Sequence, residues 1–239
     1  MPVVTIAGRF GSPARAIGLQ VARILGADYV DNQILANAAS RVGAPIEEMA
    51  QKDERKASGK QKLARFFQNF LEKSVAAGSA GDPFLGPTGI EILMSRSITE
   101  AAQPPHSTAE QLDDQRYIDA ITSVILDEAK GDNAVLIGRG SNVILKDLPH
   151  ALHIYIVSSL ESRVESIMRR ERLNSEDAAR SVKKNEEGRT AYYKKFFKVS
   201  AEDPVLYHLF LNADRLGAEH TSRIITDAAK EVARQPVRV

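Results

Sequence analysis

Near the start of the chain a short run of β-branched and apolar residues, Val3-Val4-Thr5-Ile6-Ala7, breaks at Gly8. After Arg9-Phe10-Gly11-Ser12-Pro13-Ala14-Arg15 it re-emerges with Ile17, Val21 and Ile24 at helical spacing. A buried strand that turns through glycine straight into an amphipathic helix constrains the fold strongly. The helix has to pack back on the strand, as in a sheet of parallel strands joined by helical crossovers. A turn of this kind also suits an anion, because backbone N–H groups and the positive end of the following helix converge on it. Arg15 would supply a cation at the end of the loop. Compared with the pattern G-x-x-x-x-G-K-[ST], Gly8 fits only if the loop is one residue longer. Pro13 and Ala14 stand where glycines are expected, Arg15 replaces lysine, and Ala16 brings no hydroxyl. The same residues also read as an ordinary strand-turn-helix, with Ser12 as N-cap and Pro13 at the first helical position.

The chain continues to alternate. Gly26 is a helix stop, and Ala27 to Val30 is a short strand ending at Asp31, whose carboxylate could meet a ribose or a metal-bound water, or simply cap the helix carrying Ile34, Leu35, Ala38 and Val42. Locally, the N-cap role fits Asp31 better. Pro45 to Ala50 predicts a short helix, and Gln61 to Ala76 a longer one with Leu63, Phe66, Phe67, Phe70, Leu71 and Val75 as its stripe, assigned to the core or to a homo-oligomer interface. From Ala77 to Thr108 the sequence turns rich in glycine, proline and serine, interrupted by Ile90 to Met94, which predicts a mobile insertion or a small lobe over the site. Ala109 to Lys130 reads as a long helix with Tyr117, Ile118, Ile121, Val124 and Ile125 inward.

Ala134-Val135-Leu136-Ile137 is a strand covered on both faces, and it runs directly into Gly138-Arg139-Gly140. Leu152 to Val157 repeats the pattern. Ser158 and Glu161 predict a capping box for a helix with Leu160, Val164 and Ile167 inward, ending in Arg169-Arg170-Glu171-Arg172. From Ser175 another helix runs to about Phe197, with Glu186, Arg189 and Tyr193 on one face. Leu206 to Leu211 is the last strand and Ala218 to Ala233 the closing helix. Ligands of such sheets sit outside the carboxyl ends of the strands, where Arg139 and the first loop would meet.

Composition narrows the function classes. There is no cysteine, hence no disulfide and no thiolate chemistry, and the 239 residues carry a formal net charge of +1, too little to hold a nucleic-acid polymer. No apolar run approaches the length of a membrane span and the strand follows the first residues directly, so the expectation is a cytoplasmic protein without a membrane partner. Basic residues cluster from Arg163 to Lys198. This is either a cationic surface for a small polyanion such as a nucleotide or a solvated helix face interleaved with Glu171, Glu176 and Glu186.

Taken in order, these parts resemble the cytidylate kinase-like family of P-loop nucleoside monophosphate kinases. The resemblance rests on Ile6 to Gly18, Tyr29-Val30-Asp31, Val135 to Gly140, Ser159 to Arg163, and Glu186 to Tyr193. It implies a P-loop kinase-like α/β fold of 239 residues in one domain, with a parallel sheet flanked by helices, an insertion at about 60–108 and a helical lid at about 163–198. It further implies transfer of phosphate from ATP, with Mg²⁺, to a nucleoside monophosphate such as cytidylate. In that setting Gly8, Phe10, Gly11, Ser12, Pro13, Ala14 and Arg15 would cradle the donor phosphates, and Arg15, Arg139 and Arg189 would act on the transferring or acceptor phosphoryl. Arg169, Arg170 and Arg172 would close over it with Glu186. Asp31 would reach the acceptor's sugar or the metal's water shell, and no residue is assigned as a direct metal ligand.

Relatives usually carry Gly-Gly before the loop arginine and an aspartate at the place of Glu186. Pro13 removes one N–H and fixes φ. Two readings follow: an active kinase of a small acceptor, or a catalytically impaired nucleotide-binding regulatory protein that kept the fold.

Overall fold

In the computed structural model, residues 2–53 and 114–234 are described. Five strands form one sheet among them: β1 Val3–Gly8, β2 Asp28–Val30, β3 Ala134–Ile137, β4 Ala151–Val157 and β5 Leu209–Asn212. All neighbours are parallel, in the order β2-β3-β1-β4-β5. Parallel neighbours cannot be joined by tight turns, so helices make the crossovers. The helices are α1 Ala14–Leu25, α2 Gln33–Val42, α3 Ile46–Lys52, α4 Asp114–Lys130, α5 Ser141–Ile144, α6 Leu160–Glu171 and α7 Ser175–Phe196, with α8 Ala213–Arg234 following the last strand. The parallel sheet flanked by helices is the expected fold. Among the described residues no helix is long and apolar enough to cross a membrane.

Alternation along β1 divides the core. Val4 and Ile6 pack with Ile17 and Val21 of α1 and Ile225 and Ala229 of α8, while Val3 faces the layer containing Ile34, Tyr117 and Ile121. Each such side chain contributes roughly 1.5–3 kcal/mol by leaving water. Because all five strands run the same way, their carboxyl ends share one edge. At that edge the chain leaves β1 toward β2 and leaves β4 toward β5, in opposite directions, which opens a crevice between them.

Several local expectations are corrected. Pro13, not Ser12, is the N-cap of α1, with Ile17 N donating to Pro13 O at 2.9 Å. Ile24 is exposed, and Leu25 packs in its place. Asn32 precedes α2, because the Asp31 carboxylate is drawn away toward two arginines. Ser159 caps α6 by accepting from Ser162 N, whereas Ser158 is taken by Asp214, to which its hydroxyl donates at 2.6 Å. Leu160, at the first position of α6, is exposed, and Arg163 is buried with Ile167 instead. Asp203 caps a 3-10 turn at Pro204–Leu206, so the last strand starts only at Leu209. The closing helix begins at Ala213 and breaks at Gly217, whose φ of 73° and ψ of 157° are open to glycine. The helix expected at Gln61 to Ala76, the insertion to Thr108 and the start of the following helix lie outside the described residues.

Candidate functional site

The loop from Arg9 to Pro13 turns back on itself through Ser12 N donating to Arg9 O at 3.0 Å. Gly11 has φ 88°, and a Cβ there would lie 2.8 Å from Arg163 O and 3.0 Å from Arg163 Cβ. Both the conformation and the contact with α6 therefore require glycine. Arg163 answers the loop. It is buried, its Nη1 donates to Phe10 O at 3.4 Å, and removal from water pulls its pKa down.

The loop is ringed by charge. Arg9 grips Glu202 with two parallel hydrogen bonds, Nε to Oε1 at 2.9 Å and Nη2 to Oε2 at 2.7 Å. Glu202 also receives Arg189 Nη2 at 3.2 Å and the Tyr155 hydroxyl at 3.2 Å. The hydrogen bond from Arg9 is the chief reason the Glu202 carboxyl sits below the usual carboxylate range. Arg189 is buried, donates to Tyr155 Oη at 2.6 Å, and lies over the Tyr155 and Tyr193 rings. Burial pushes the Tyr155 hydroxyl up to about 12, so it stays protonated as a donor. Glu186 faces Arg189 at 3.6 Å and Arg163 at 4.0 Å, and its Oε1 accepts the backbone N–H of Phe10.

On the other side of the loop, Arg15 Nε meets Asp31 Oδ2 at 2.7 Å and Arg15 Nη2 donates to Asn32 Oδ1 at 2.9 Å. Behind them Arg139 is only 2 % exposed and held at φ 54° between two glycines. It donates to the Asp31 carbonyl and carboxylate and, at 3.2 Å, to Asp53 Oδ2, while the Tyr117 hydroxyl faces Asp53 Oδ1 at 3.5 Å. Arg139 thus spends its charge on two buried carboxylates, aligning Asp31 with Arg15.

A cavity of about 70 Å³ lies at the loop, lined by Phe10, Gly11, Ser12, Arg15, Arg170 and Arg189 among others. Of the residues singled out in the sequence, Gly8, Phe10, Gly11, Ser12, Ala14, Arg15, Arg170 and Arg189 line it. Pro13 starts α1, Glu186 touches Phe10 N, and Asp31 and Arg139 join through Arg15. Arg170 also lies over the Phe10 ring at 5.4 Å. Arg169 and Arg172 are exposed near the end of α6 and are not brought in. Sequence reasoning missed Arg9, Tyr155, Glu202 and Asp53, and placed Arg163 at the start of a basic run and in the Ser159 to Arg163 segment without giving it a role at the loop. The arginine next to Gly8 was the one local signal, since Glu202 lies 193 residues from Arg9. Convergent guanidinium groups and a loop N–H can hold and neutralise an anion with several oxygens.

The model of the cytidylate kinase-like family matches residues 3–215. A cytidylate kinase of Methanoregula boonei is 24% identical over 108 residues, which are 45% of this chain and 58% of that protein. The matched part thus spans little more than half the length of this curated relative. An uncharacterized protein from Eubacterium ventriosum has a crystal structure that aligns with a TM-score of 0.59 at 13% identity, over 96% of this chain and 98% of that one. At that identity the likeness concerns the fold alone.

Proposed function

The chain belongs to the cytidylate kinase-like family, and from that premise we propose that it transfers a phosphoryl group from ATP to a nucleoside monophosphate such as cytidylate. The observation that carries this reading is the backbone N–H of Phe10 holding an anionic oxygen, that of Glu186, beside a cavity lined by Arg15, Arg170 and Arg189. Phosphoryl transfer asks the protein mainly for positioning and charge neutralisation, and this loop offers both. Arg15 faces the donor phosphates, Arg189 the transferring group, and Arg170 closes from α6. Arg139 acts through Asp31, which meets the acceptor's sugar. The chain forms one kinase domain, with α6 and α7 as its lid and about 60–108 as an insertion.

The described residues do not fit a protein-held Mg²⁺. No group of three His, Cys, Asp or Glu among them could hold a metal, Asp31 is engaged by Arg15 and Arg139, and Ala16 brings no hydroxyl. Nucleotide phosphates and waters commonly supply most ligands of this ion, and no step is assigned to it.

A second reading, a nucleotide-binding regulatory protein, is favoured by the same loop: Pro13 contributes no N–H and Ala16 no hydroxyl. Calorimetry with ATP and a coupled ADP-release assay across the nucleoside monophosphates decide between them. Binding with turnover supports the kinase, binding without any turnover supports the regulator, and absence of nucleotide binding removes both.

A further inference from the structure

The contact between Glu186 and Phe10 has a chemical consequence for ligands. The loop's N–H points at a carboxylate oxygen of its own chain, and that carboxylate also faces Arg163 at 4.0 Å and Arg189 at 3.6 Å, the latter a cation assigned above to the phosphoryl group. Phe10 is held from its other side as well, its carbonyl accepting from Arg163 and its ring lying under Arg170. The adjoining cavity, about 70 Å³, is far below the roughly 300–1,000 Å³ of pockets that enclose drug-sized ligands. An anion is therefore already seated at the loop, and the space beside it is small while that anion stays.

We infer that Glu186 is an internal anion occupying the loop, so that a polyphosphate binds by exchange with it. This rests on the reading of Gly8 to Arg15 as a phosphate site. A ligand's oxygen takes the Phe10 N–H, and the Glu186 carboxylate leaves. The exchange lowers the apparent affinity by the fraction of molecules in which Glu186 is already out, and by the same factor for every ligand that uses the loop. The loop is shielded from stray small anions, since only a ligand with several anionic oxygens and further contacts repays the displacement.

The test is calorimetric binding of ATP and of inorganic tripolyphosphate to the unaltered protein, to Glu186→Gln and to Glu186→Asp. Glutamine keeps the shape and removes the charge, while aspartate shortens the reach by one methylene. Both variants should bind both probes more tightly, by about tenfold if Glu186 is out in about one molecule in ten. Tripolyphosphate carries no base or sugar, so a parallel gain for both probes locates the effect at the loop. Unchanged or weaker binding in both variants overturns the inference while leaving the phosphate site standing, as does a gain confined to ATP. If none of the three proteins binds either probe, the phosphate-site reading fails and the inference with it.

Discussion

Arg139 reaches Asp31 twice, through Nη1 to the carbonyl oxygen at 2.7 Å and to the carboxylate at 3.3 Å, at a depth where its side chain is 2 % exposed. Its other arm is on Asp53. Removing one partner of a buried charge cluster leaves the rest uncompensated, so Arg139→Ala should destabilise the fold by about 3–5 kcal/mol. Arg139→Lys, which keeps the charge without the fork, should lie between the two. Urea denaturation measures this, and a loss under about 1 kcal/mol for the alanine variant would contradict the account.

Arg15 should behave in the opposite way. Its side chain is 43% exposed, so its pair with Asp31 contributes less than about 1 kcal/mol to stability. Its proposed task is to face the donor phosphates, where a charge-assisted contact is worth about 1.5–3 kcal/mol. Arg15→Ala should therefore melt close to the unaltered protein yet bind ATP at least about tenfold more weakly. Equal affinity in calorimetry would take Arg15 out of the site.

At Gly11 a methyl group meets backbone. Gly11→Ala places a Cβ 2.8 Å from Arg163 O at a φ of 88°, so the loop or α6 must shift. We expect a stability loss of about 1–2 kcal/mol. ATP affinity should fall by about tenfold, about 1.4 kcal/mol, as the loop's N–H groups are displaced. Thermal melting and calorimetry read the two effects separately, and an alanine variant indistinguishable in both would show the loop to be slack.

The two stacked histidines give the fold a pH dependence away from the site. The His153 and His208 rings are 5.1 Å apart, and His153 Nδ1 shares a 2.8 Å hydrogen bond with Thr5 Oγ1. Burial, then the neighbouring His208, lowers the His153 pKa to about 4. Since this lies below the unfolded value of about 6.5, the unfolded chain binds the extra proton first as pH falls. Stability should be level above about pH 6.5 and decline between about 6.5 and 4, by about 3 kcal/mol in all. His153→Gln should flatten that slope whatever it does to absolute stability. A profile equally steep in both proteins would assign the titration elsewhere.

The sequence by itself determined the frame. β1, β3 and β4 are apolar runs too short for buried helices and bounded by glycine or polar turns, and α1, α4 and α7 carry their core stripes at local spacing. These signals are local, so a linear reading recovers them. Adjacent equivalents were where it failed. Ser158 and Ser159 are interchangeable as caps on paper, and only Asp214, brought alongside by β5, decides that Ser159 does the capping. Nor does any spacing announce that Glu202 would clasp Arg9, or that Asp53 would share Arg139 with Asp31. Such pairings follow from the order β2-β3-β1-β4-β5, which gathers the strands' carboxyl ends at one edge and buries charges that must then find partners from distant segments. The tertiary structure alone decided that Glu186 sits on the Phe10 N–H, because a helix far along the chain had to dock over the loop before its carboxylate could reach it.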